Sequence, residues 1–111
     1  MDNIKNDNYY LKKIKADLEY LIEISSNLNR EDFDKSTLHQ DSIMFRMIQI
    51  SENADRLSKE FKNRYSEISW QMMKGMRNRI VHEYGGVDLK IVFDAVKVDI
   101  PAFYETIKSL V

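Results

Sequence analysis

Cysteine is absent from this 111-residue sequence, proline occurs once and glycine three times. The missing thiols exclude disulfides, thiolate metal sites and cysteine nucleophiles together, and they fit a reducing compartment. So little glycine and proline leaves scant material for tight hairpin turns, and abundant Lys, Glu, Leu, Ile and Met favour long helices. No apolar run approaches the roughly 18 residues of a membrane span, and the opening Met1-Asp2-Asn3-Ile4-Lys5-Asn6 lacks the apolar stretch of a secretion signal. The expected location is therefore the cytoplasm, with no membrane partner. Neither charge sign dominates, with 17 Lys and Arg against 18 Asp and Glu. Without a global basic field, any contact with nucleic acid has to be local.

What is present is helical periodicity, enough for one domain over residues 1–111 and a single core. Leu11, Ile14, Leu18, Leu21, Ser25 and Leu28 recur at spacings of three and four, predicting a first helix from about Tyr9 to Leu28. The polar stretch Asn29 to Ser36 breaks the period and is read as a connection with one short turn around Phe33. A second helix is expected from about Leu38 to Arg64. Its stripe is Met44, Met47, Ile48, Ser51, Ala54, Leu57 and Phe61, with Phe45 and Ile50 off it. Ser69 is placed to cap a third helix led by Trp70, which Gly85 and Gly86 terminate. Asp88 caps a fourth, with Val87 and Val92 positioned as a hydrophobic staple and a stripe from Leu89 to Leu110. Pro101 falls inside that last run, removes the bond to the carbonyl of Lys97 and should bend it. The expected fold is all-α, an up-and-down four-helix bundle.

The chemistry concentrates in Gly75-Met76-Arg77-Asn78-Arg79-Ile80-Val81-His82-Glu83-Tyr84-Gly85-Gly86. It joins a permanent cation, a group that titrates near neutrality and a modifiable hydroxyl. Arg77 and His82 sit about 140° apart around an ideal helix, so one straight helix cannot aim both at a small target. Asn78 and His82 share a face, as do Arg77 and Tyr84. Either the helix end unwinds near the glycines, or a second copy of the chain supplies the other half of the site. Arginine and histidine without a metal-ligand cluster suit RNA cleavage, because the RNA's own 2′-OH is the nucleophile. His82 would move the protons, while Arg77 would hold the phosphate in a bidentate fork and stabilise the charge that develops on it. Asn78 is a supporting hydrogen-bonding residue and Arg79 a positioning cation. No metal and no cofactor is expected.

In its Arg-Asn-x-x-x-His-x-Tyr-Gly form, after a tryptophan, this run resembles the HEPN superfamily, and within it the HepT branch. The likeness covers about Tyr9 to Leu110. The segment from Ile68 to His82 looks like the family's tryptophan-led third helix, and Gly85-Gly86-Val87-Asp88-Leu89 like the turn that follows. Ile50-Ser51-Glu52-Asn53-Ala54 resembles the stretch where the family shows Gly-Glu-Ala, here with serine for glycine and Asn53 interposed. No role follows for Glu52. The resemblance implies a homodimeric, metal-independent ribonuclease toxin of a type VII-like HEPN/MNT toxin-antitoxin system. Arg77 and His82 would be catalytic, Asn78 and Arg79 supporting, and Tyr84 the hydroxyl that the cognate nucleotidyltransferase antitoxin modifies with AMP. RNA and that nucleotidyltransferase are the implied partners.

Structural readings stand beside these. A histidine at a helix C-terminus favours the dipole as a cap, and Tyr84 can be a half-buried aromatic closing the core. Arg77 and Arg79 can pair with Glu83 or with carboxylates of another helix. His39 reads as a helix-start residue without a role. Gly75, inside a helix, signals close backbone approach, either at a dimer axis or at a tight core crossing. At the level of function the rivals are a non-catalytic helical subunit that binds nucleotide or presents substrate to a nucleotidyltransferase, and a plain dimerisation module.

Overall fold

The computed structural model describes residues 6–83 and 85–111, and every regular element among them is helical. In chain order these are α1 Asp7–Ser25, α2 Arg30–Lys35, α3 Thr37–Asp55, α4 Lys59–Arg64, α5 Trp70–His82, α6 Leu89–Asp94, a π turn over Ala95–Asp99, and α7 Ile100–Ile107. α3 lies between α1 and α5, α1 also packs on the π turn and α7, and α2 bridges α3 and α6. The expected all-α class is what the described residues show.

Side-chain caps start most of these helices. Asn6 accepts from the Tyr9 N–H, Asn29 from Asp32, Ser36 from His39, Ser58 from Phe61 and Asp88 from Lys90. Each satisfies a donor that the first helical turn leaves free. The α1 stripe is buried from Leu11 to Ser25, where the helix ends, three residues before the expected end; Leu28 is buried in the turn that follows. The short turn at α2 exists to seat Phe33, which is fully buried and has its ring centroid 5.5 Å from that of Phe93.

Four expectations change. First, the second helix breaks at Arg56 to Ser58 into α3 and α4, because Ser58 starts a new helix and is tied to α1. Its N–H donates to Asp7 Oδ1 at 2.8 Å and its Oγ to Asp7 Oδ2 at 2.7 Å. Second, Ile50 is fully buried, not off the stripe, while Met44 and Ile48 are only half-buried and Phe45 is 56% exposed. α3 is sandwiched between two helices and buries two stripes, so one stripe could not describe it. Third, Ser69 holds the N-cap position of α5 but makes no side-chain cap bond; the Met72 N–H turns instead to the Ser69 carbonyl at 3.1 Å. Fourth, the disturbance caused by Pro101 is a π turn just ahead of it, in which the Ile100 N–H donates to the Ala95 carbonyl five residues back. Widening the helix there accommodates a residue that can neither donate to Lys97 nor tolerate its carbonyl close by.

Periodicity also missed a polar group in the core. Asp17 is buried and accepts from Arg46 Nη1 at 2.7 Å, and the Arg46 guanidinium lies 4.0 Å from the Tyr20 ring centroid. This pairing joins α1 to α3.

Candidate functional site

α5 is anchored by Met73 and Ile80, both buried and seven residues apart, so one line of the helix faces the core and the opposite line faces solvent. Arg77 lies between these anchors, four residues after one and three before the other. Its stem is consequently enclosed and its guanidinium emerges at the seam with α3. There Nη2 lies 3.9 Å from Glu52 Oε2 and Nη1 donates to Asn78 Oδ1 at 3.0 Å. The Arg77 Nε is buried with no hydrogen-bond partner among the described residues. Of the five N–H donors of a guanidinium, few are therefore committed. The Glu52 contact is loose and partly exposed, with side chains 31% exposed for Arg77 and 45% for Glu52, which makes it weak and displaceable.

His82 is the last residue of α5 and is exposed; its ring makes no hydrogen bond to a described residue. The Glu83 N–H still donates to the Arg79 carbonyl at 3.0 Å. The helix is regular through His82, and the unwinding that would bring His82 round to Arg77 within one chain is not seen. The two side chains remain about 140° apart, with Lys74, Asn78 and Val81 on the arc between them. Arg79 is exposed and has no ion-pair partner among the described residues. Tyr84 lies outside the described residues. Gly85 has a φ of +87°, which only glycine adopts freely, and the Gly86 N–H donates to the Glu83 carbonyl at 2.7 Å.

Gly75 resolves one of its two readings. A Cβ built there would meet nothing within 4 Å, so no core crossing requires this glycine. It precedes His82 by seven residues, two helical turns, and shares its face. Beside α5, Phe45 and Val81 are exposed and, with Met44, Ile48 and Ile80, line an open apolar hollow of about 470 Å³. His39 sits at the start of α3 with Nδ1 2.7 Å from the Oγ of the capping Ser36.

The structure thus brings Arg77 and Asn78 together, keeps His82 apart from them, and adds Glu52 at Arg77, for which the sequence suggested no part. The Ser51-Glu52 stretch of the family resemblance was the available signal. No group of three or more His, Asp or Glu side chains among the described residues could hold a metal ion, and no helix there is long and apolar enough to cross a membrane.

A family profile described as "Ribonuclease HepT-like" matches residues 14–110. A candidate RNase of Caldanaerobacter subterraneus is 30% identical over 107 residues, covering 96% of each chain. A protein of Thermococcus cleftensis named "Probable ribonuclease HepT" is 34% identical over 95 residues, 84% of each chain. In Methanocaldococcus jannaschii, a protein named for a gamma-glutamylcyclotransferase and a candidate RNase is 32% identical over 106 residues, 96% of this chain but 48% of that one. No solved structure matches.

Proposed function

The chain belongs to the HepT-like ribonuclease family, and from that premise we propose that it cleaves RNA without a metal, through Arg77 and His82 contributed by two copies of the chain. The observation that carries this reading is the regular course of α5 through His82, which leaves Arg77 at the α3 seam and His82 on the far side of the helix. A cleft between two protomers joins what one protomer separates. Support comes from the Cβ-free space at Gly75 on the His82 face, and from the exposed Phe45 and Val81 beside it. In this reading the helices form an up-and-down four-helix bundle that pairs as a homodimer in the cytoplasm.

The chemistry follows from the groups present. The RNA 2′-oxygen attacks the adjacent phosphorus, its proton passes to His82, and the P–O5′ bond breaks as His82 delivers a proton to the leaving 5′-oxygen, leaving a 2′,3′-cyclic phosphate and a 5′-hydroxyl. Arg77, released from its loose contact with Glu52, forks onto the phosphate as charge builds on it. Asn78 holds the guanidinium and Arg79 positions the strand. Following the family resemblance, the protein is the toxin of a toxin-antitoxin pair, and AMP transferred to Tyr84 by the nucleotidyltransferase antitoxin silences it. Bulk and negative charge two residues after His82 would obstruct the cleft and repel RNA.

Purified protein is expected to cleave RNA in EDTA, with Arg77→Ala and His82→Ala each lowering the rate by at least a hundredfold. Undiminished cleavage by both variants overturns the assignment. For the regulatory half, intact mass after co-expression with the neighbouring nucleotidyltransferase should show added AMP that Tyr84→Phe lacks.

A further inference from the structure

A second open hollow lies away from Arg77 and His82. It is a trough of about 650 Å³ between the end of α3, α4, the connection after α4 and the first turns of α5. Lys59, Lys62 and Lys74 line it, and none of the three has an ion-pair partner among the described residues. Asp55 and Glu67 are also in the lining, so the balance is one positive charge in a chain whose net charge is −1. Ser51, 1% exposed, lines the same hollow, and its Oγ has no hydrogen-bond partner among the described residues. Three uncommitted ammonium groups around an open hollow, whose lining also includes apolar side chains such as Ile68 and Trp70, suit an anionic ligand.

Lys74 connects this trough to the cleavage residues. It stands three residues before Arg77 and four before Asn78, about 4.5 to 6 Å along the axis and within about 60° of both around the helix. We propose that the trough is a binding subsite for the RNA strand that flanks the scissile phosphate, with Lys59, Lys62 and Lys74 holding its backbone phosphates. The proposal rests on Arg77 and His82 being the cleavage site. Lysine ammonium groups are mobile point charges, so the subsite binds strand without reading bases, and its contribution is affinity that grows with RNA length and falls with salt.

The test compares the chain with its Lys59→Gln/Lys62→Gln/Lys74→Gln variant, both carrying His82→Ala so that RNA survives the binding measurement. Fluorescence anisotropy is read with a labelled single-stranded 16-mer and with a dinucleotide across a salt series. A strand held by three lysines loses about 2 from the slope of log affinity against log salt when they are neutralised, at about 0.7 per phosphate. The 16-mer should bind at least tenfold more weakly at low salt, with dinucleotide binding unchanged. Lys12→Gln/Lys35→Gln, the same kind of change outside the trough, should leave both as they were. With His82 restored, the triple variant should show a raised KM on the 16-mer and an intact kcat. Wild-type slope and affinity in the triple variant overturn the subsite. Wild-type protein that leaves RNA intact overturns the cleavage reading instead, and the salt slope still decides for or against the trough.

Discussion

Ser51 buries a hydroxyl that bonds to nothing among the described residues, and such a group costs more to desolvate than it returns. Ser51→Ala should therefore raise stability by about 1 kcal/mol, read as a higher urea midpoint at unchanged slope. The opposite sign holds where a polar group is paired. Arg46→Ala strands the buried Asp17 carboxylate and should cost about 3 kcal/mol, most of which the double change Asp17→Leu/Arg46→Met should restore. A third case is set by pH. The Tyr104 hydroxyl donates to Glu19 at 2.8 Å, and that bond, followed by desolvation and by the charges of Glu19 and Glu105, holds the phenol above its ordinary value. Because the folded-state value is the higher one, the stabilisation is complete below about pH 10, the unfolded tyrosine value, and disappears as pH rises through the folded value. Melting temperatures of wild type and Tyr104→Phe should differ by a constant amount from pH 7 to 9 and converge above that. Ser51 lay on the periodic stripe of the second helix, but Asp17, Arg46 and Tyr104 did not stand out by periodicity, which detects apolar spacing and is blind to which polar groups meet across helices.

At the level of elements, legibility followed how local the cause was. The α1 stripe, the Asp88 cap and the glycine stop after α5 each depend on neighbours within a few residues, and all three were readable. Gly85 makes the point quantitatively. With φ at +87°, Gly85→Ala should cost about 1 to 2 kcal/mol, whereas Gly86→Ala, with no positive φ and only an ordinary 3.7 Å contact, should cost less. Thermal melts of the two variants check the difference. The break between α3 and α4 was not readable, because Leu57 and Phe61 carry the apolar rhythm straight across it. The cause is a carboxylate 51 residues away in sequence, Asp7, which takes both bonds from Ser58. The π turn falls between these cases, since Pro101 announced a disturbance but not the form that the helix would adopt to absorb it.

For the whole molecule, the decisive question is what approaches the His82 face of α5. The sequence already contained the angular separation of Arg77 from His82, and the structure removes the escape through an unwound helix end. What sequence could not show was that Glu52 faces Arg77, or that three lysines from two helices surround one trough, since both depend on how α3, α4 and α5 come together. Gly75 now separates the two-copy cleft from any arrangement within one chain. In an isolated protomer, alanine at this exposed helical position meets no neighbour and should stabilise α5 by about 1 kcal/mol through propensity alone. If a second protomer packs on that strip, each added methyl enters the contact twice across the two-fold axis, because both chains carry it. Gly75→Ala should then weaken self-association by about tenfold or more and lower RNA cleavage in proportion, while unfolding of the dissociated chain shifts to higher denaturant. Sedimentation equilibrium over a concentration series, paired with urea unfolding at the dilute end, reads the two effects separately. A variant that is more stable, associates as wild type does and cleaves as fast would place the contact elsewhere on the molecule and remove the geometric ground for a shared cleft.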